Sequence, residues 1–196
     1  MPRLFTGIEI PAMIGEQLSY LRGGIPGARW IDRENYHLTL RFVGDIDMDI
    51  AEEIAGALTR IRRPSFTLKL SDVTTFGTKR PHAIVARADI SPELADLQAE
   101  QERFMQRIGL PPETRKFTPH VTLARLRGTN GRDIGNYLSL RGSFAVDPFP
   151  IDRFVLFSAR KSTGGGPYVV EEAYPLIAPV TRSEIDAGGI ETWQKN

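Results

Sequence analysis

The sequence predicts an α+β fold with mainly antiparallel sheet, built from two similar lobes. Apolar runs typical of strands alternate with helical patterns, and the connections mix hairpins with helices, which favours antiparallel pairing. Two strands carry the same pattern, His-x-Thr: His37 with Thr39, and His120 with Thr122. Almost half of the 196-residue chain separates the two histidines. We therefore expect each lobe to contribute one strand to a shared site.

Two prolines in the first half of the chain mark the start of its first predicted helix and the end of its second. Pro11 precedes the first helical pattern, where proline is favoured in the opening turn, and Pro64 ends the second. The predicted elements, in order, are a strand at 3–10, a helix at 14–21, the strand in YHLTLRFVGD, a helix at 47–61, and strands in SFTLKLSDVTTF and HAIVARADI.

The second half opens with a helix that Ser91 caps and Pro92 begins, both favoured residues at those positions. This helix is predicted to run to Gly109. It is followed by the strand in FTPHVTLARL, a short helix in GTNGRDIGNYLSL, two strands in SFAVDPFPIDRFVLFSA that break at Pro148 and Pro150, and a last strand in YVVEEAYPLI. We expect one bilobal domain over 1–180 and a polar tail over 181–196.

Composition excludes several classes of function. Lys and Arg number 25 against 24 Asp and Glu, which argues against a broad basic face for long nucleic acid but allows a local site for a phosphorylated end. The chain has no cysteine and three histidines, so thiolate catalysis and cysteine-ligated zinc are excluded and we expect no metal or cofactor. No signal peptide or membrane span is recognised, and we expect a cytoplasmic monomer with no membrane partner.

The His-x-Thr strands place an imidazole and a hydroxyl side by side. Because side chains alternate along a strand, His37 and Thr39 share one face, while Leu38 and Leu40 pack on the other. Two facing motifs would supply two histidines, which fit a reaction that takes one proton and gives another near neutral pH. The two threonines, Thr39 and Thr122, would hydrogen-bond a phosphate. A single His-x-Thr is usually structural, but two copies among three histidines favour a functional site.

Three further residues are candidates for substrate binding. Strict alternation continues the His37 face to Arg41, although a solvent-exposed arginine at a strand end is an equal alternative. Alternation alone places Arg125 on the face opposite Thr122, yet a strand end could turn it toward a phosphate. Tyr168 is a candidate surface for stacking a base, with core packing as the alternative.

The motifs with their flanks resemble a known family. The paired signatures of the 2H phosphoesterase superfamily resemble HLTLRFVGD and PHVTLARL. Its LigT-like members, the RNA 2′,3′-cyclic phosphodiesterases or 2′-5′ RNA ligases, also contain segments similar to RLFTGIEIP, ARWIDRENYHLTLRFVGD and FVLFSARKSTGGGPYVVEEAYPL. The similarity covers about 3–177 and leaves out the tail. It implies two antiparallel sheets with outer helices that enclose a V-shaped groove, with one motif in each lobe.

The resemblance also implies an activity and roles for the site residues. The expected reaction is metal-independent hydrolysis of an RNA 2′,3′-cyclic phosphate end, for example on a transfer RNA fragment, to a 2′-phosphate, with 2′-5′ ligation as a side reaction. His37 would be the general acid and His120 the general base. Thr39 and Thr122 would hold the phosphate, and Arg125 matches a basic position of the family. The alternatives are a phosphoesterase for small cyclic nucleotides, such as ADP-ribose 1″,2″-cyclic phosphate, and a non-catalytic module that binds RNA ends.

Overall fold

A computed structural model describes residues 2–77, 80–159 and 166–178 of the chain. Its helices and strands are β1 (Arg3–Glu9), α1 (Ala12–Ser19), β2 (Arg29–Trp30), β3 (His37–Asp45), α2 (Met48–Leu58), β4 (Phe66–Leu68), β5 (Leu70–Phe76), β6 (Ala83–Ala88), α3 (Pro92–Arg107), β7 (His120–Arg125), α4 (Gly131–Arg141), β8 (Phe149–Ile151), β9 (Arg153–Ala159) and β10 (Tyr168–Pro175). A short 3-10 turn at Arg33–Asn35 leads into β3.

The strands form an antiparallel sheet of eight strands and a second sheet of two. The large sheet has the order β10-β9-β1-β3-β7-β6-β5, with β2 also paired to β7, and the small sheet consists of β4 and β8. Strands β3 and β7 are neighbours through one residue pair, Leu38 and Val121. This pair joins the strands of the two predicted lobes and brings both His-x-Thr motifs to the middle of the sheet. The predicted α+β class with antiparallel sheets is confirmed.

Most predicted elements are found in the predicted order, with three differences among the strands. The stretch SFTLKLSDVTTF forms two strands, because β4 pairs with β8 whereas β5 pairs with β6, so the chain changes sheets at Lys69. Pro150 does not break a strand; it lies inside β8, opposite Thr67. Both strands of this sheet are edge strands, where a missing N–H is tolerated. The short strand β2 was not predicted, and the tail at 181–196 lies outside the described residues.

The core lies between the sheet and the helices, and it begins directly under the two motifs. Leu38 and Val121, which alternate with the motif histidines and threonines, are fully buried. Helix α3 packs its apolar stripe, including Leu97 and Met105, into the same core. Its cap is as predicted, since Ser91 Oγ accepts a hydrogen bond from the Leu94 N–H at 3.2 Å. A packed underside of this kind holds the polar upper faces of β3 and β7 in place.

Both motif strands are interrupted by a bulge at the same position. In β3 the register shifts between Thr39 and Arg41, and in β7 it shifts between Thr122 and Ala124. The extra residue reverses the alternation of side chains beyond it. The burial pattern is accordingly identical in the two strands: the fourth residue after each histidine is buried and the fifth is exposed.

The bulge sends Arg41 toward helix α3. Its guanidinium is an almost completely buried group that donates to the Glu102 carboxylate and to the carbonyls of Phe42 and Pro111. Glu102 also accepts from the Glu113 N–H at 2.9 Å. Arg41 therefore connects β3, α3 and the loop after α3. We expected Arg41 on the His37 face from strict alternation, and the bulge means that this alternation does not hold here.

Replacing Glu102 by glutamine is expected to lower the free energy of unfolding by about 2 kcal/mol, because a buried guanidinium loses the charge that compensates it. Urea denaturation followed by circular dichroism measures this change. The matched control is Glu100→Gln on the same helix, whose partner Arg63 is 29% exposed. We expect a cost of about 0.5 kcal/mol there. Equal losses in the two variants would contradict a special role for the buried pair.

Within the described ranges, none of the helices combines the length and apolar character that crossing a membrane requires.

Candidate active site

The two His-x-Thr motifs line one cavity of about 710 Å³. His37 and Thr39 from β3 and His120 and Thr122 from β7 all contribute to its wall, and all four side chains are partly exposed. This convergence follows from the topology, because β3 and β7 are adjacent and antiparallel. The histidine and threonine of each motif alternate with buried Leu38 or Val121, so all four side chains point to the opposite face of the sheet from the core. Two imidazoles and two hydroxyls from distant parts of the chain thus meet in one space.

Both imidazoles are anchored in the same way. His37 Nδ1 lies 2.9 Å from the carbonyl oxygen of Asn35, and His120 Nδ1 lies 2.7 Å from the carbonyl oxygen of Thr118. A carbonyl only accepts hydrogen bonds, so Nδ1 carries the proton in both rings. Nε2 is therefore the nitrogen that remains available to exchange a proton with a ligand, and the backbone fixes the orientation of each ring.

The surroundings of the two rings differ. The His37 ring packs against three aromatic rings, with centroid distances of 4.9 Å to Phe5, 5.5 Å to Phe157 and 4.8 Å to Tyr168. For His120 the structure records one such neighbour, Phe76, whose ring meets it edge-on at 4.3 Å. His37 is thus set in a deeper apolar enclosure than His120.

This enclosure disfavours the charged form of His37. Burial lowers its pKa to about 4, the nearby positive charges of His120 and Arg125 act in the same direction, and the Asn35 carbonyl opposes them. Burial also lowers the pKa of His120, with a contribution from Arg125 and opposition from the Thr118 carbonyl. Burial therefore favours the neutral form of both imidazoles in the ligand-free protein.

The lowered pKa of His37 predicts a loss of stability in mild acid. Its ordinary pKa is 6.5 and its pKa in the folded protein is about 4, so between these values the unfolded chain binds a proton that the folded chain does not. The free energy of unfolding should therefore fall as the pH drops from about 6.5 to about 4, by roughly 3 kcal/mol from this group.

Urea denaturation at several pH values measures that loss. His37→Gln should be less sensitive to acid over this range than the wild-type protein. Thr74→Val on β5, which changes no titratable group, should keep the wild-type dependence. An unchanged pH dependence in His37→Gln would show that the ring is not desolvated in solution.

The remaining predicted site residues occupy three different positions. Arg125 is exposed and lines the cavity, because the bulge in β7 turns it to the face of Thr122, which alternation alone did not predict. Phe42, which takes the corresponding place in β3, also lines the cavity and is 43% exposed. Arg41 borders the cavity, but its guanidinium is bound as described above. Tyr168 lines the cavity beside His37, and its ring meets the His37 ring edge-on.

Three residues at this site were not found from the sequence. Asn35 lies two positions before His37, as Thr118 does before His120, and both supply a main-chain carbonyl to a ring. Because a carbonyl belongs to every residue, no pattern of residue types marks this role. Phe76 comes from β5, two strands away from β7, and its contact with His120 depends on sheet pairing that the sequence does not show.

Comparison with known proteins places the chain in a family. The family model described as LigT like Phosphoesterase matches twice, over residues 8–86 and 84–168, so that each match contains one His-x-Thr motif. A protein of Aeropyrum pernix named RNA 2′,3′-cyclic phosphodiesterase is 36% identical over 107 residues, which cover 54% of this chain and 60%, less than two thirds, of that protein.

A protein of Escherichia coli with the same name is 34% identical over 134 residues, which cover 63% of this chain and 71% of that protein. Among solved structures, that of E. coli LigT complexed with 3′-AMP superposes with a TM-score of 0.69 at 26% identity, over 90% of this chain and 99% of that one. Two matches of the family model, which together span most of the sequence, agree with the duplicated motif and the antiparallel α+β fold. The chain belongs to the LigT-like phosphoesterase family.

Proposed function

We propose that this protein hydrolyses RNA ends that carry a 2′,3′-cyclic phosphate and leaves a 2′-phosphate. The observation that carries the proposal is the meeting of two identically anchored imidazoles and two hydroxyls around one cavity. Opening a cyclic phosphate requires a proton to leave the attacking water and another to reach the departing ribose oxygen. A pair of histidines suits these two transfers.

The relatives support the choice of substrate. The A. pernix and E. coli proteins named above are RNA 2′,3′-cyclic phosphodiesterases, and E. coli LigT has been solved with 3′-AMP, a ribonucleotide with phosphate next to the 2′ position. The near-neutral net charge of this chain fits a protein that recognises an RNA end and contacts few phosphates, and does not fit one that binds along a long nucleic acid.

The proposed mechanism uses His120 as general base and His37 as general acid. His120 Nε2 takes a proton from water as its oxygen attacks the phosphorus. The bond between phosphorus and the 3′ oxygen breaks, and protonated His37 gives its proton to that oxygen. The product carries the phosphate on the 2′ oxygen. Each proton transfer by a positioned group typically contributes about 10²–10⁴-fold in rate.

The threonines and Arg125 are assigned to the phosphate in this proposal. The Thr39 and Thr122 hydroxyls donate hydrogen bonds to its non-bridging oxygens, and Arg125 supplies positive charge from the cavity wall. The anion in turn favours the charged form of the histidines, which burial keeps neutral in the free protein. Substrate binding is thereby coupled to protonation of His37, which the general acid requires. The guanidinium of Arg41 stays bound to Glu102 and has no assigned contact with substrate.

The same site would also support ligation, in which an RNA hydroxyl takes the place of the attacking water. If the 5′-hydroxyl of a second RNA replaces water, its attack on the cyclic phosphate forms a 2′-5′ linkage with the same two proton transfers. We place this ligation second to hydrolysis, because water is present at far higher concentration.

The test is turnover of a nucleoside 2′,3′-cyclic phosphate and of an oligonucleotide with the same end, each with a chelator present. We expect 2′-phosphate products from both, at rates that the chelator does not change. Turnover of ADP-ribose 1″,2″-cyclic phosphate alone would reassign the enzyme to small cyclic nucleotides. Tight binding of RNA ends without turnover would indicate a binding module, and a rate that the chelator abolishes would contradict the metal-independent mechanism.

A further inference from the structure

Asn35 contacts two elements that meet at the His37 ring. Its carbonyl oxygen accepts the hydrogen bond from His37 Nδ1 at 2.9 Å, and its side-chain oxygen Oδ1 accepts one from the Tyr168 N–H at 3.2 Å. Tyr168 begins β10, the strand that pairs with β9 at the edge of the large sheet. A single residue therefore holds both the imidazole and the start of a distant strand.

The contact with the start of β10 is a close one. A Cβ atom placed on Gly166 would lie 2.1 Å from Oδ1 of Asn35, so the backbone there passes directly against the amide. Gly166 also has a φ of +95°, which favours glycine, and any Cβ there would displace the Asn35 amide. The Tyr168 ring, carried by the same segment, then stands 4.8 Å from the His37 ring, at an interplanar angle of 77°.

The second motif has no such arrangement among the described residues. Thr118 supplies its carbonyl to His120, as Asn35 does to His37, but its hydroxyl donates within the same loop, to the Lys116 carbonyl at 3.4 Å. The two halves of the site therefore share the backbone anchor and differ in the side-chain bond. The difference lies on the side of the histidine with the deeper aromatic enclosure.

We infer that Asn35 is a positioning residue, which clamps the β10 segment onto His37 and so holds the general acid in its enclosure and in the orientation needed to reach the departing oxygen. This inference rests on the function proposed above for the role of His37, but the clamp itself is a property of the ligand-free protein. Without the side-chain bond, the Tyr168 wall would be released while the carbonyl anchor of the ring remained.

The test compares Asn35→Ala, Asn35→Asp and Asn130→Ala. Asn130 is a matched control, because its Oδ1 also accepts a backbone N–H, that of Arg132 at 2.9 Å, but at the start of α4 and outside the cavity. Its loss removes a helix cap and affects stability without touching the site. Aspartate keeps the oxygen acceptor for Tyr168 and adds a negative charge near His37.

For Asn35→Ala we expect kcat for a nucleoside 2′,3′-cyclic phosphate to fall at least tenfold, with KM changed by less than about threefold, because chemistry and not phosphate binding depends on the ring position. Asn35→Asp should recover most of kcat and move the basic limb of the pH–rate profile to higher pH, since a carboxylate favours the protonated ring. Asn130→Ala should keep the wild-type kcat and profile.

A second readout does not depend on turnover. NMR titration of labelled histidine in the ligand-free protein should show the pKa of His37 rising in Asn35→Ala, as water reaches the ring. The other charged or titratable groups acting on that ring, His120 and Arg125, are unchanged in the variant, as is the neighbouring Tyr168. If the wild-type protein is inactive but the His37 titration still changes in Asn35→Ala, the proposed function is rejected and the clamp is retained. Kinetics and titration in Asn35→Ala that match Asn130→Ala would overturn the clamp.

Discussion

Replacing His120 or His37 by alanine is expected to lower kcat/KM for a nucleoside 2′,3′-cyclic phosphate by about 10²–10⁴-fold in each case. Each variant removes one of the two proton transfers, and the remaining histidine cannot do both at once. The double variant should lose little more than the worse single one, because the two groups act in the same step.

The pH–rate profile makes this prediction more specific. The wild-type profile should be bell-shaped, since one histidine must be neutral and the other protonated. His120→Ala should lose the acidic limb and His37→Ala the basic limb. The control is His82→Ala, which removes the one histidine outside the motifs. His82 also lines the cavity but carries neither proton transfer in the proposal, so turnover should stay within a few-fold of wild type. Near-native turnover in both motif variants, with intact folding by circular dichroism, would refute the two-histidine mechanism.

The second large effect is expected from the two threonines. Thr39→Val and Thr122→Val keep the shape of the side chain and remove the hydroxyl. A hydrogen bond to a charged group contributes roughly 1.5–3 kcal/mol, so each variant should lose about 10–100-fold in kcat/KM, and the double variant more than either. Inhibition by inorganic phosphate should weaken in parallel, because the same hydroxyls would hold the free anion.

Thr74→Val is the matched control for these variants. Thr74 lies on β5 of the same sheet, two strands from β7, and is not part of the cavity wall. Its replacement should leave both kcat/KM and phosphate inhibition near the wild-type values. If the motif variants bind phosphate as tightly as this control, the hydroxyls have a structural role in the strands and the phosphate is held elsewhere.

The two arginines show where reasoning from sequence reaches its limit. Arg41 and Arg125 each follow a His-x-Thr motif, and strict alternation predicts the wrong face for both. A bulge after each threonine turns Arg41 away to Glu102 and Arg125 toward the cavity. A bulge is set by the pairing of two strands, which no single segment specifies.

The sequence by itself determined the order of most strands and helices, the α+β class, the N-terminal cap of α3 and the position of each histidine beside a threonine. These features depend on residues within a few positions of one another, through periodicity, proline and capping preferences. The tertiary structure alone decided that β3 and β7 lie side by side, that Phe5, Phe157 and Tyr168 enclose His37, and that Asn35 reaches Tyr168. Those contacts join residues far apart in the chain, and burial, which lowers the pKa of His37, exists only after they have formed.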